Sequence, residues 1–132
     1  MTKEKLFRLS IGSHHDPQVD AWFDARPDEL GHMAKTWFEE IRALGDDVLE
    51  LIHDGCPVAC IEDVPFANVN VYTAHINVGL FLGALLPDPA NLIQGTGKRM
   101  RHVRIGPTIS FDPVALRTLL QVAYADIKQR LN

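Results

Sequence analysis

The amino-acid sequence predicts an α+β domain in which helices from both ends of the chain pack on one antiparallel sheet. Three patterns support this class. Apolar residues recur at helical spacing in the first third of the chain, alternate with polar residues through its middle, and return to helical spacing after Pro113. With 132 residues, 46% of them hydrophobic, the chain is long enough to bury the core of one domain.

The first third predicts helices that proline and glycine separate. Asp16-Pro17 is typical of a helix N-cap followed by proline in the first turn. Pro27 is predicted to open a second helix, which Gly45 ends. Its apolar stripe runs for four turns: Leu30, Met33, Ala34, Trp37, Phe38, Ile41 and Leu44. A short third helix is predicted over residues 46–55.

After Pro57 the pattern changes to that of short strands. Residues 58–61 predict a strand, 63–65 a turn, and 90–93 a single helical turn. Apolar side chains fall on odd numbers from Val69 and on even numbers from Ile76. Because side chains alternate along a strand, this change predicts a hairpin with His75 at its bend or directly after it.

Residues 99–105 predict a further strand, and Asp112-Pro113 begins a last helix with an apolar stripe that reaches Leu131. Residues 1–15 are interpreted as a lead-in and residues 16–132 as a single domain. The longest apolar run falls short of the roughly 20 residues that a membrane span requires, and the N-terminus lacks the apolar segment of a signal peptide. We therefore expect a cytoplasmic protein without a membrane partner.

The two cysteines, Cys56 and Cys60, are predicted to be buried thiols. If they share a strand, they lie about 13 Å apart, which is too far for a disulfide.

Charge is divided unevenly along the chain, whose net charge is −4. The first 66 residues hold six Lys or Arg and fourteen Asp or Glu, whereas the last 66 hold seven and three. A general nucleic-acid-binding domain is basic as a whole, so nucleic acid is not the expected partner.

An acidic series in the helical half is the candidate metal site. Asp16, Asp20 and Asp24 follow at i, i+4 spacing and Asp28 comes next, so their carboxylates are predicted to share one face. Carboxylate oxygens of this kind suit a hard cation. Three further acids repeat the spacing on the third predicted helix: Asp46, Glu50 and Asp54. The other interpretation is that these residues are helix caps and solvated surface.

A basic segment in the other half is the candidate anion site. Residues 98–104 hold four cations and a histidine. The strand is predicted to place Arg101 on one face with Val103 and Ile105, and His102 with Arg104 on the other. Arginine can bind a carboxylate or phosphate through two parallel hydrogen bonds. The candidate ligand-binding residues are His75, Lys98, Arg101, His102 and Arg104. The alternative is that this strand pairs with acids of the helical half.

Known catalytic motifs are absent from the sequence. The segment before Lys98 is not a phosphate-binding P-loop, because Leu92 stands where the first glycine is required. There is no serine nucleophile elbow, no H-E-x-x-H motif and no Cys-x-x-Cys pair. An enzyme is therefore the less favoured class, and we predict no catalytic residue.

Three segments together resemble the YdhG-like family of small intracellular domains: FANVNVYTAHINVGLF at 66–81, LPDPA at 86–90 and GTGKRMRHVRI at 95–105. The resemblance covers roughly residues 20–131. It implies a frataxin-like two-layer sandwich and, for some members, an iron chaperone that passes iron to an accepting protein. Because Pro27 and Gly45 divide the helical half, the family's acidic metal-binding positions do not map one to one onto this chain.

The sequence therefore supports three hypotheses about function. The first is a non-enzymatic iron-binding protein that uses the helix carboxylates. The second is a small-molecule or anion-binding domain centred on the basic strand. The third is a protein-protein interaction module, in which oppositely charged halves join two copies in a homodimer.

Overall fold

The computed structural model describes residues 5–132 and has an α+β architecture, as predicted. Five antiparallel strands form one sheet in sequence order. The elements are α1 (Pro17–Asp24), α2 (Glu29–Arg42), β1 (Val48–His53), β2 (Cys56–Ile61), β3 (Val64–Val71), β4 (Ile76–Leu80), a 3-10 turn (Gly83–Leu85), β5 (Arg101–Ile105) and α3 (Pro113–Leu131). In this described part of the chain, no helix is long and apolar enough to cross a membrane.

Aspartates cap the three α-helices of the described residues. The Asp16 carboxylate accepts a hydrogen bond from the Gln18 amide at 2.9 Å, and Asp112 caps α3 in the same way. Asp28 caps α2 through the Gly31 amide, also at 2.9 Å. The second helix therefore begins at Glu29 rather than at the predicted Pro27, because Asp28 supplies the cap.

The predicted third helix is wrong, because residues 48–53 form β1. A two-residue turn at Asp54-Gly55 joins β1 to β2, with φ of 50° and 76°. Two left-handed residues in succession match the right-handed twist of a hairpin, and Asp-Gly is a favoured pair for such a turn. Short apolar segments do not distinguish helix from strand by periodicity, so this dipeptide was the informative signal.

Two smaller predictions are also corrected. The turn predicted at 63–65 lies one residue earlier, at Glu62-Asp63, and Val64 already belongs to β3. The helical turn predicted at 90–93 is not formed, because the Asp88 carboxylate accepts hydrogen bonds from the amides of residues 92 and 93 in an irregular loop. The short helical turn of this region is instead the 3-10 turn at Gly83–Leu85.

The predicted hairpin is confirmed. β3 pairs with β4 so that Val69 lies opposite Val78, and the Tyr72 amide donates to the His75 carbonyl at 2.9 Å across the turn. His75 directly precedes β4, and the turn explains the change of phase in the apolar pattern.

The two faces of the sheet differ sharply on β3, β4 and β5. Val69, Val78 and Val103 lie in one cross-strand row and are buried. The helices form the layer against the sheet: α1 contacts β1 and β2, α2 contacts β3 and β4, and α3 contacts β3. The opposite side chains of these three strands form what we call the open face: Asn68, Asn70, Asn77, His102 and Arg104.

A buried ion pair fastens the lead-in to the domain. Glu50 on β1 is only 4% exposed, and its carboxylate pairs with Arg42 of α2 and accepts a hydrogen bond from the Asp16 amide at 3.0 Å. Arg42 also donates to the His14 carbonyl at 2.6 Å, and the backbone of Ser13 bridges that of Glu50. One pair thus joins the lead-in, α2 and the edge strand.

Cys56 and Cys60 are free and buried, as predicted. Burial raises the pKa of the Cys60 thiol to about 12. Burial also raises the pKa of Cys56, partly offset by a hydrogen bond from Asn68. Since the thiolate is the reactive form, neither thiol is activated at neutral pH.

We expect both thiols to react slowly with a disulfide reagent such as DTNB in the native state. Raising the Cys60 pKa from 9.0 to about 12 lowers its thiolate fraction at neutral pH about a thousandfold. Absorbance of the released thiolate measures the rate, and guanidinium-unfolded protein is the control. Equal rates in the two states would contradict the buried placement.

Candidate functional site

Two rows of polar side chains cross the open face. β4 lies between β3 and β5 in register, so Asn77 is flanked by Asn70 and Arg104. Directly opposed residues of antiparallel strands lie about 5 Å apart at their β-carbons, so neighbours within each row can act on one ligand. The second row runs from Asn68 through Gly79 to His102.

Glycine in the second row leaves space for a side chain from β3. A β-carbon at position 79 would lie 1.9 Å from the Asn68 side-chain oxygen. The Asn68 amide group therefore lies across Gly79, where it donates to the Cys56 sulfur at 3.6 Å. This packing fixes Asn68 between the buried β2 thiol and His102.

Arg104 is the exposed cation of the open face. Within residues 5–132 its guanidinium has no hydrogen-bond or carboxylate partner. Other arginines of the domain are paired, as Arg8 is with Asp63 and Arg130 with Asp126. The guanidinium of Arg104 is thus free to bind an external anion.

Two histidines stand beside this arginine. Partial burial lowers the pKa of His102, and the charge of Arg104 lowers it further. The pKa of His75 is also lowered, first by burial and then by Arg104 and His102. Both imidazoles are therefore neutral at pH 7. The His75 ring stacks on Tyr72, with ring centres 4.9 Å apart and planes 11° from parallel.

Asn77 contributes an unpaired acceptor. Its side-chain oxygen is buried and, among the described residues, has no hydrogen-bond partner. Buried polar atoms are nearly always hydrogen-bonded, so an exception calls for an explanation. A ligand that donates a hydrogen bond beside Arg104 would satisfy this oxygen.

The other two predicted ligand-binding residues lie apart from this group. Lys98 is exposed in the loop before β5, and Arg101 is on the opposite side of the strand from His102. The Arg101 side chain donates to the Gly97 carbonyl at 2.9 Å and thereby holds the loop. Of the five predicted residues, the fold brings together His75, His102 and Arg104.

The acidic series is divided among different roles. Asp16 and Asp28 cap helices. Asp20 pairs with His15 at 2.7 Å, and Asp24 is the exposed last residue of α1. Within residues 5–132 no three His, Cys, Asp or Glu side chains come together in a group that could hold a metal.

The second acidic series is not a helical face. Asp46 and Asp54 lie in exposed turns at opposite ends of β1, while Glu50 between them is buried and paired with Arg42. This correction follows from the strand that replaces the third helix.

Sequence reasoning missed the asparagines and Tyr72. The alternation of valine or isoleucine with asparagine at positions 68–71 and 76–78 was the available signal. It places one amide on the open face for each apolar residue on the buried face.

Comparison of the chain with models of known protein families, with curated proteins and with solved structures finds no significant match. The molecule is defined by its structure as a small α+β domain with one polar sheet face, and the YdhG-like resemblance stays a prediction.

Proposed function

We propose that this domain has a frataxin-like fold and is a non-enzymatic binding protein for a small anion, which it holds on the open face at Arg104. The observation that carries the proposal is the exposed Arg104 guanidinium, which has no partner among residues 5–132 and lies on a paired strand beside two neutral histidines. Strands hold side chains in fixed directions, so the site is preorganised for a ligand.

The neighbours of Arg104 define the chemistry of the anion. The guanidinium offers parallel donors to a carboxylate or phosphate. The Asn77 oxygen requires a donor. A ligand that carries both a negative charge and a hydroxyl or other donor, such as hydrogen phosphate or a hydroxycarboxylate, meets both requirements.

Titration with inorganic phosphate, followed by amide chemical shifts in NMR spectra, tests the proposal. Arg104→Gln should weaken binding about 10- to 100-fold, since a hydrogen bond to a charged group contributes about 1.5–3 kcal/mol. Lys35→Gln is the matched control, because it removes one exposed positive charge from α2 and should leave affinity unchanged. Sulfate, which has no donor at neutral pH, should bind more weakly than phosphate.

Two results would contradict this proposal. One is equal weakening of phosphate binding by both variants, which would show that binding depends on the overall charge of the protein and not on Arg104. The other is an absence of phosphate-dependent shifts around residues 75, 77, 102 and 104 in the folded wild-type protein.

Metal binding by the helix carboxylates, with iron favoured by the family resemblance, stays a prediction. Anaerobic iron(II) calorimetry on the wild type and on the Asp20→Asn, Asp24→Asn double variant tests it. Binding that the variant loses would support an iron site on α1, and no heat from either folded protein would contradict it.

A further inference from the structure

A cavity of about 300 Å³ lies between the lead-in, β3 and α3, and its lining does not include Arg104. Its inner wall reaches the core, because Val64, Phe81 and Ile127 line it and are each no more than 9% exposed. The volume is at the lower end of the range for ligand pockets, so a molecule with one or two rings fits. The cavity is therefore a candidate site for a compact ligand.

Phe7 is the outer wall of this cavity. Its side chain is 57% exposed, and its ring lies nearly parallel to that of Phe81, with centres 6.4 Å apart. The centre of the His53 ring lies 6.1 Å from that of Phe7. The lead-in is anchored next to this ring, because Arg8 pairs with Asp63 at 2.7 Å and the following amide donates to the Asp63 carbonyl. The fold thus holds an aromatic ring over an apolar space.

The groups that line the cavity suit an aromatic ligand. Phe7, His53 and Phe81 supply three rings, and aromatic rings attract one another in offset-stacked and edge-to-face arrangements. Met100 adds a thioether, whose sulfur also packs favourably against rings. Asn68 supplies an amide among these mainly apolar groups. A planar ring can therefore make specific contacts in this cavity as well as bury apolar surface.

The charged residues of the lining do not favour an ion. Lys5, Asp54 and Arg99 are all exposed, so they belong to the rim of the cavity. Lys5 and Asp54 have opposite charges, and Arg99 already has an interaction partner. An ion that entered the apolar interior would lose hydration without gaining a counter-ion there. The complementary ligand is therefore uncharged.

We infer that this cavity binds an uncharged aromatic molecule of one or two rings, which packs between Phe7 and the buried wall at Val64 and Phe81. The three rings and the thioether favour an aromatic body, and the rim charges select neither an acid nor an amine. This inference does not rest on anion binding at Arg104.

The test is titration of the full chain with benzyl alcohol, followed by amide chemical shifts in NMR spectra. Benzoate and benzylammonium carry the same ring with a negative or a positive charge, and both should bind at least about tenfold more weakly, because an unpaired charge is costly to bury. Cyclohexylmethanol has the same hydroxyl on a ring that is not aromatic, and it should bind about threefold more weakly. We expect benzyl alcohol to shift the amides of Phe7, Val64 and Phe81.

Two variants with matched controls place the ligand in the cavity. Phe7→Ala removes the outer wall and should weaken benzyl alcohol binding about tenfold. Ile11→Ala is its control, because it removes an apolar side chain that is 74% exposed in the same lead-in and outside the lining. Met100→Trp should fill the mouth of the cavity and also weaken binding. Val114→Trp is its control, at a residue that is 66% exposed at the start of α3 and outside the lining.

Four outcomes would overturn the inference. They are the absence of benzyl alcohol shifts at the cavity, equal affinity for a charged analogue, equal affinity for cyclohexylmethanol, and unchanged binding in both Phe7→Ala and Met100→Trp. Arg104→Gln should leave benzyl alcohol binding unchanged. A loss of phosphate binding with benzyl alcohol binding intact would contradict the anion site alone, and the reverse result would contradict the cavity site alone.

Discussion

Replacement of Arg42 by methionine is expected to cost about 3–5 kcal/mol of unfolding free energy. Arg42 is the charge partner of Glu50, which is 4% exposed and keeps only the Asp16 amide as a donor when the guanidinium is removed. A buried carboxylate without its counter-ion carries an uncompensated desolvation cost. The substitution also removes the hydrogen bond to the His14 carbonyl, so the lead-in should detach from β1.

Urea unfolding followed by tryptophan fluorescence measures this effect, since Trp22 and Trp37 are both in the core. The control is the double variant Arg42→Met, Glu50→Leu. Removal of both charges should restore most of the lost stability, because apolar pairs often replace buried ion pairs without cost. A single variant as stable as the wild type, or a double variant less stable than the single variant, would contradict a stabilising role for the Arg42–Glu50 ion pair.

Gly31→Ala should destabilise the domain although alanine is the better helix former. Gly31 lies in the first turn of α2, where helix propensity alone favours alanine by about 1 kcal/mol. A β-carbon there would lie 1.9 Å from the Arg26 carbonyl oxygen, which is backbone and cannot rotate away. The corner between α1 and α2 must therefore open, and we expect a net loss of about 1–3 kcal/mol.

Lys35→Ala is the control for this substitution, because it lies on the same helix, is exposed and should change stability by less than about 0.5 kcal/mol. Thermal unfolding of the three proteins gives the comparison. An increase in melting temperature for Gly31→Ala would show that helix propensity outweighs the contact with the Arg26 carbonyl and that the corner between α1 and α2 tolerates a β-carbon.

The sequence predicted best those elements that have a long periodic pattern or a change of phase in the alternation of apolar residues. The stripe from Leu30 to Leu44 covers four helical turns, so chance rarely imitates it. The change of phase between Val69 and Ile76 requires a bend whatever the tertiary fold, and the β3–β4 hairpin supplies it.

β1 could not be predicted from its apolar residues, because its pattern depends on a partner from elsewhere in the chain. Glu50 faces inward and is buried only because Arg42, eight residues earlier, neutralises it. Local sequence gives no sign of that pairing, so the segment resembled an amphipathic helix. The turn chemistry of Asp54-Gly55 was the better guide.

The candidate site was predictable in part. Strand alternation correctly placed His102 and Arg104 on one face and Arg101 on the other. Register between strands cannot be read from one strand alone, so the position of Asn77 beside Arg104 was not foreseen.

The most direct test of the open-face site is an NMR pH titration of the imidazole protons of His75 and His102. Proteins to compare are the wild type alone, the wild type with sulfate, and Arg104→Gln. In the wild type both pKa values should lie below the usual 6.5, because burial and Arg104 disfavour the imidazolium. Arg104→Gln should raise both pKa values, since the nearby positive charge is gone.

Sulfate does not titrate in this range, so its effect on the histidines reports binding alone. Bound at Arg104, it should raise both pKa values in the wild type and neither in Arg104→Gln. By linkage, its affinity should increase as the pH falls through the range in which the imidazoles become charged, because the bound anion favours the charged form. Histidine pKa values that respond neither to sulfate nor to the loss of Arg104 would contradict the site.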